Sequence, residues 1–146
     1  MRFFSKKSKK TADSKKTEQS TEAVDLQGCT ILIVDDSPTQ LHILKGYLEE
    51  AGCAVLVADN GEMGISQART NKPDLILMDV VMPGLNGFQA TRLLSRDPET
   101  SNIPIIMVTT KDQDTDKTWA IRQGAREYLV KPVEKDELLA KISQVL

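Results

Sequence analysis

Acidic side chains stand where two short apolar runs stop: Asp35-Asp36 after Thr30 to Val34, and Asp79 closing Leu75 to Asp79. A third run, Ile103 to Val108, leads into Thr109, and a fourth, Glu127 to Val130, leads into Lys131-Pro132. Carboxylates brought together repel and raise one another's pKa unless a hard cation shares their oxygens. Mg2+ suits such a set, because it takes oxygen ligands in octahedral geometry and keeps waters that phosphoryl oxygens can replace. The chemistry these residue types support together is phosphoryl transfer, which asks mainly for positioning and charge neutralisation. In that arrangement Asp35 and Asp36 hold the metal and Asp79 is the nucleophile, while Thr109 and Lys131 offer a hydroxyl and an ammonium to the transferring group. Pro132 can hold a cis bond that aims Lys131 inward.

These groups meet only if the runs are neighbouring strands that end on one edge. Five β-branched runs stand out, Thr30 to Val34, Ala54 to Ala58, Leu75 to Asp79, Ile103 to Val108 and Glu127 to Val130, with segments between them long enough for helices. Alternating strands and helices predict an α/β fold with a doubly wound, five-stranded parallel sheet. Ligands of such sheets sit beyond the carboxyl ends of the strands, where the winding direction switches. Ser37-Pro38-Thr39-Gln40 offers an N-cap, a proline at the first helical position and a glutamine to close a capping box. Leu41, Leu44, Leu48 and Ala51 form that helix's buried stripe. A last helix over Glu134 to Leu146 buries Leu138, Leu139, Ile142 and Val145 and is expected to finish the chain, with no output domain after it.

The 146 residues fit one domain and a tail, with 40% apolar residues for a core. Residues 1 to 26 hold seven Lys/Arg against four Asp/Glu, which leaves 12 basic and 17 acidic residues for one folded domain over 27 to 146. The leader is polar and lysine-rich, too poor in apolar side chains to offset ordering entropy, and reads as a disordered basic tail. The acidic remainder argues against nucleic acid as the partner, since phosphate backbones are held by clustered Lys and Arg. Cys29 and Cys53 lack metal or disulfide spacing and read as free, buried thiols of a reducing compartment. No apolar stretch reaches the ~20 residues that cross a bilayer, and no signal peptide opens the chain. A cytoplasmic protein without an integral membrane segment is the expectation.

Leu32-Ile33-Val34-Asp35-Asp36-Ser37, Met78-Asp79-Val80-Val81-Met82-Pro83-Gly84-Leu85-Asn86-Gly87, Val108-Thr109-Thr110 and Lys131-Pro132, in that order, resemble the signature of the response-regulator receiver (CheY-like) family. The resemblance covers about residues 29 to 146. It implies the flavodoxin-like strand order 2-1-3-4-5, with two helices on one face and three on the other. It also implies Asp79 as phosphoacceptor, Asp35 and Asp36 as metal residues, and the backbone carbonyl of Val81 as a further Mg2+ ligand. Lys131 would contact the phosphoryl group, and Thr109 with Tyr128 would form a switch pair acting on the face of the fourth helix, fifth strand and fifth helix. A histidine kinase as phosphodonor, a downstream protein effector and a monomeric state are implied with it. The stretch from Met82 to Arg92, and that from Val108 through Trp119 to Val133, resemble stand-alone regulators of type IV pilus twitching motility. Two pocket-flanking positions depart from the commonest pattern: Thr110 is bulkier, and Val81 offers no polar side chain to a water.

Blander readings apply elsewhere. His42 lies beside the apolar stripe of its helix and reads as a surface side chain. Trp119 fits a partner anchor and a core position equally well. Gly124 reads as a helix C-cap and Gly87 as a helix start that lets backbone approach the pocket. Asp112, Asp114 and Asp116 lack the glycine and glutamate of a calcium loop and read as helix N-terminal charge. Two other functions use the same residues. A phosphate sink for a shared kinase needs no change in the site. A metal-dependent aspartyl phosphohydrolase of the haloacid dehalogenase type would carry a second Asp two residues after Asp79, where Val81 stands. The expectation is therefore a phosphoacceptor switch whose only catalysis is its own phosphotransfer and dephosphorylation.

Overall fold

Buried β-branched and aliphatic runs with no polar alternation require cover on both faces, and the computed structural model, which describes residues 24–146, supplies it. Five parallel strands, β1 (Thr30–Val34), β2 (Ala54–Ala58), β3 (Leu75–Met78), β4 (Ile105–Thr109) and β5 (Glu127–Val130), lie in the order β2-β1-β3-β4-β5. The connections are α1 (Pro38–Glu50), α2 (Gly61–Asn71), α3 (Gly87–Arg96) and α4 (Asp114–Gln123), with α5 (Lys135–Val145) last. The fold is the expected doubly wound receiver architecture.

Two apolar layers flank the sheet. Ile31, Ile33, Leu75, Leu77 and Val108 pack with Leu44 and Leu48 of α1 and with Leu138, Leu139 and Ile142 of α5. Leu32, Val34, Ile76, Met78 and Met107 pack with Ala68 of α2, Ala90 and Leu94 of α3 and Ala120 of α4. Side-chain alternation along each strand thus divides the helices two and three. Both faces of β1 and β3 are filled, so their polar termini are free only at the carboxyl edge.

Local chemistry fixes where the elements start. Ser37 accepts the N–H of Gln40 at 3.3 Å and Pro38 opens α1, but the reciprocal Gln40 bond of a capping box is absent there. Asn86 and Gln89 make a complete box at α3. Gly87 cannot be replaced without displacement, because a Cβ would lie 2.0 Å from the carbonyl oxygen of Asp79. Gly124 ends α4 in the left-handed conformation at φ +118.

Several boundaries differ from expectation, among them α5, which runs over Lys135–Val145 with Glu134 and Leu146 as its caps. β3 stops at Met78, and β4 runs over Ile105–Thr109 instead of starting at Ile103. The N–H of Ile103 is spent on Thr100 in the preceding turn, and Pro104 has no N–H to give a ladder. The tail was expected to run through residue 26, yet Leu26 is buried in the core and its N–H bonds to Ala51 at 2.9 Å. An isolated leucine in a polar stretch finds cover beneath the end of α1. The rest of the expected disordered tail, residues 1–23, lies outside the described residues. Among the described residues no helix is long and apolar enough to cross a membrane.

Candidate functional site

The order β2-β1-β3-β4-β5 sets the ends of β1 and β3 side by side at the switch in winding, and β4 and β5 follow on one flank. Asp35 leaves β1 almost fully buried, Asp36 next to it is exposed, and Asp79 follows β3 with 7% of its surface exposed. One carboxylate oxygen from each of the three lies within 4.8 Å of the others. They line an open cleft of about 530 Å3 together with Ser37, Gln40, Val81, Thr110, Lys131 and Pro132.

Lys131 is the only cation among the residues lining this cleft. The Lys131–Pro132 bond is cis, and Lys131 Nζ donates to Asp35 Oδ2 at 2.6 Å while lying 3.6 Å from Asp79 Oδ2. Asp35 also accepts the N–H of Ser37 at 2.9 Å, so both of its oxygens are engaged. Asp79 is held less completely. Its Oδ1 accepts the N–H of Val80 at 2.8 Å. Burial pushes its carboxyl pKa upward; Lys131 pulls it back, Asp35 raises it again, and hydrogen bonds from Thr109 and Val80 lower it. The net direction is upward. Three carboxylates with one ammonium leave negative charge uncompensated, the donor set that an oxygen-seeking divalent cation satisfies.

The structure brings together Asp35, Asp36, Asp79, Val81, Thr110, Lys131 and Pro132 around one cleft. Thr109 is fully buried beneath Asp79, and its hydroxyl oxygen also accepts the N–H of Lys111 at 3.4 Å. Tyr128 stands outside the cleft. Its hydroxyl donates to the carbonyl of Lys111 at 2.8 Å, and burial with nearby acids raises its pKa to about 12. Thr109 and Tyr128 are thus joined through the backbone of one residue. Gln40 was expected only as a capping partner; it lines the cleft instead, and its place on the first turn after the Asp35-Asp36 pair was the signal available. Trp119, which fitted surface and core alike, is 47% exposed on α4, and His42 is exposed as read.

Comparison with known proteins agrees with this geometry. The model of the response regulator receiver domain matches residues 31–143. Protein PilH of Pseudomonas aeruginosa is 62% identical over 116 residues, covering 80% of this chain and 96% of PilH. The phosphate regulon transcriptional regulatory protein PhoB of the same organism is 40% identical over 119 residues, which is 82% of this chain but only 52% of PhoB. Chemotaxis protein CheY4 of Vibrio cholerae superposes with a TM-score of 0.77 at 30% identity, over 81% of this chain and 98% of CheY4. The receiver domain of a Pseudomonas aeruginosa sensor histidine kinase, solved with magnesium coordinated in its active site cleft, gives 0.75 at 29% identity, over 80% and 96%.

Proposed function

The chain belongs to the response regulator receiver domain family, and from that premise we propose that it is a phosphorylation switch whose phosphoacceptor is Asp79. The observation that carries the reading is a buried carboxylate with a raised pKa, 3.6 Å from Lys131 and clustered with two further acids. An oxygen of Asp79 forms the bond to phosphorus as the P–N bond of a kinase phosphohistidine breaks, and the released imidazole takes up a proton. In the reverse fate a water attacks phosphorus, the acyl P–O bond breaks, and Asp79 recovers its carboxylate as inorganic phosphate leaves.

Lys131 holds Asp35 in an ion pair at 2.6 Å and presents its ammonium to the phosphoryl oxygens. Asp35, Asp36 and Asp79, with the carbonyl of Val81, would hold Mg2+, which supplies neutralisation of the transferring group's charge. Magnesium in the cleft of the related histidine kinase receiver supports this. The Thr109 hydroxyl turns to the phosphoryl group, releasing Lys111 and, through its carbonyl, Tyr128. That motion alters the face of α4, β5 and α5, which an effector protein reads. The 62% identity to PilH and the resemblance of the Met82 to Arg92 stretch to twitching-motility regulators support a role in type IV pilus control. A monomer in the cytoplasm completes the reading.

Phosphotransfer tests it. A pre-labelled histidine kinase from a pilus chemotaxis-like system passes its label to the wild-type chain in the presence of Mg2+ and leaves Asp79→Ala unlabelled. Equal labelling of both overturns the assignment.

A further inference from the structure

Lys111 meets three elements at once. Its N–H donates to Thr109 at the end of β4, its carbonyl accepts from Tyr128 of β5, and its ammonium lies 3.8 Å from Asp116 Oδ1 on α4. Asp116 is anchored in turn, because its Oδ2 accepts the N–H of Gln113 at 3.3 Å and closes the capping box of the helix. The aspartate is 16% exposed and the lysine 41%. The cleft is lined by Thr110, the residue before Lys111, but not by Lys111. An acid in the first turn of a helix is explained by the helix dipole. The dipole does not explain why the lysine next to a cleft-lining residue pairs with this acid and not with the acids of the cleft.

We propose that Asp116 is a positioning residue that parks the Lys111 ammonium on α4 and leaves Lys131 as the sole cation of the phosphoryl pocket among the described residues. The proposal rests on the reading of Asp79 as phosphoacceptor. An exposed ion pair is weak and easily exchanged. A phosphoryl group adds up to about two negative charges, so a phosphorylated Asp79 competes with Asp116 for the same lysine. Movement of Lys111 then disturbs the carbonyl that holds Tyr128, which links the parked charge to the switch.

Asp116→Asn removes the charge and keeps an oxygen for the Gln113 N–H, so the cap is preserved. With acetyl phosphate and Mg2+, D116N is expected to label about two- to fivefold faster than wild type, the range that one exposed ion pair supports. In a Lys111→Gln background D116N is expected to have no further effect. Equal acceleration with and without the lysine, or no acceleration in the wild-type background, overturns the proposal. Lysine ammonium NMR of the unphosphorylated chain separates this from the phosphoacceptor reading. D116N shifts the Lys111 signal and leaves that of Lys131 in place. If Asp79 proves not to take a phosphoryl group, this spectrum still decides the latch, and an unmoved Lys111 signal overturns it.

Discussion

The two ends of the sheet use the same residue types and satisfy them differently. At the amino end several polar groups have dedicated partners: Asp74 accepts the N–H of Thr30 at 2.8 Å, and Lys72 bonds Glu99. Thr100, buried nearby, gives its hydroxyl to the carbonyl of Leu94 at 2.7 Å. Asp97 shows the consequence, because the N–H of Glu99 and then Arg69 hold its carboxyl below the ordinary range. At the carboxyl end Asp35 and Asp79 share Lys131 with Asp36 clustered beside them, and the carboxyl of Asp79 is pushed upward. The named groups at one end are balanced pair by pair, while the other end holds unspent charge. A structural polar group is recognised by having its own partner; a group that competes for a shared one is poised for a ligand.

The largest expected effect breaks the shared partner. Lys131→Met leaves Asp35 buried without its cation and should cost about 3 kcal/mol in denaturant unfolding. Adding Asp35→Asn should recover much of that loss; no recovery would mean that the pair is not the source. A smaller effect has the opposite sign. Asp79 has a raised folded pKa, so its contribution to stability is present in acid and lost as pH rises through that value. Without divalent cations, Asp79→Asn should therefore be more stable than wild type at neutral pH by about 1 kcal/mol, the scale of a single substitution. The two melting curves should converge in acid. The smallest effect belongs to Asp97, whose lowered pKa gives stability above the ordinary carboxylate range that is lost as pH falls through the folded value. Asp97→Asn should melt slightly below wild type at neutral pH and match it in acid. If Asp79→Asn and Asp97→Asn moved stability in the same direction at neutral pH, the contrast between the two ends would fail.

Most of the fold is written in local pattern. Apolar runs such as Ile31 to Val34 and Leu75 to Met78 mark strands by composition alone, and Ser37-Pro38 marks a helix start by hydrogen bonding and fixed φ. The site is legible for a related reason: once strands are parallel and in order, residues that end them share an edge. What was not legible depends on tertiary partners. Leu26 looked like tail because nothing in its neighbours announces the end of α1 above it. Trp119 lies on a helix that buries only Ala120 within its span, so its side could not be read from spacing. The bonds from Lys111 to Thr109, Tyr128 and Asp116 join residues on three elements, and only the folded chain puts them in reach.

The central claim is that unspent charge at the carboxyl end serves to receive a phosphoryl group on one carboxylate. Acetyl phosphate treatment with Mg2+, followed by peptide mass spectrometry under conditions that preserve acyl phosphates, tests it most directly. A single phosphoryl group on Asp79, absent from Asp79→Ala and lost when Mg2+ is chelated, is the predicted result. A phosphoryl group on another residue, or one that persists in Asp79→Ala, would contradict it.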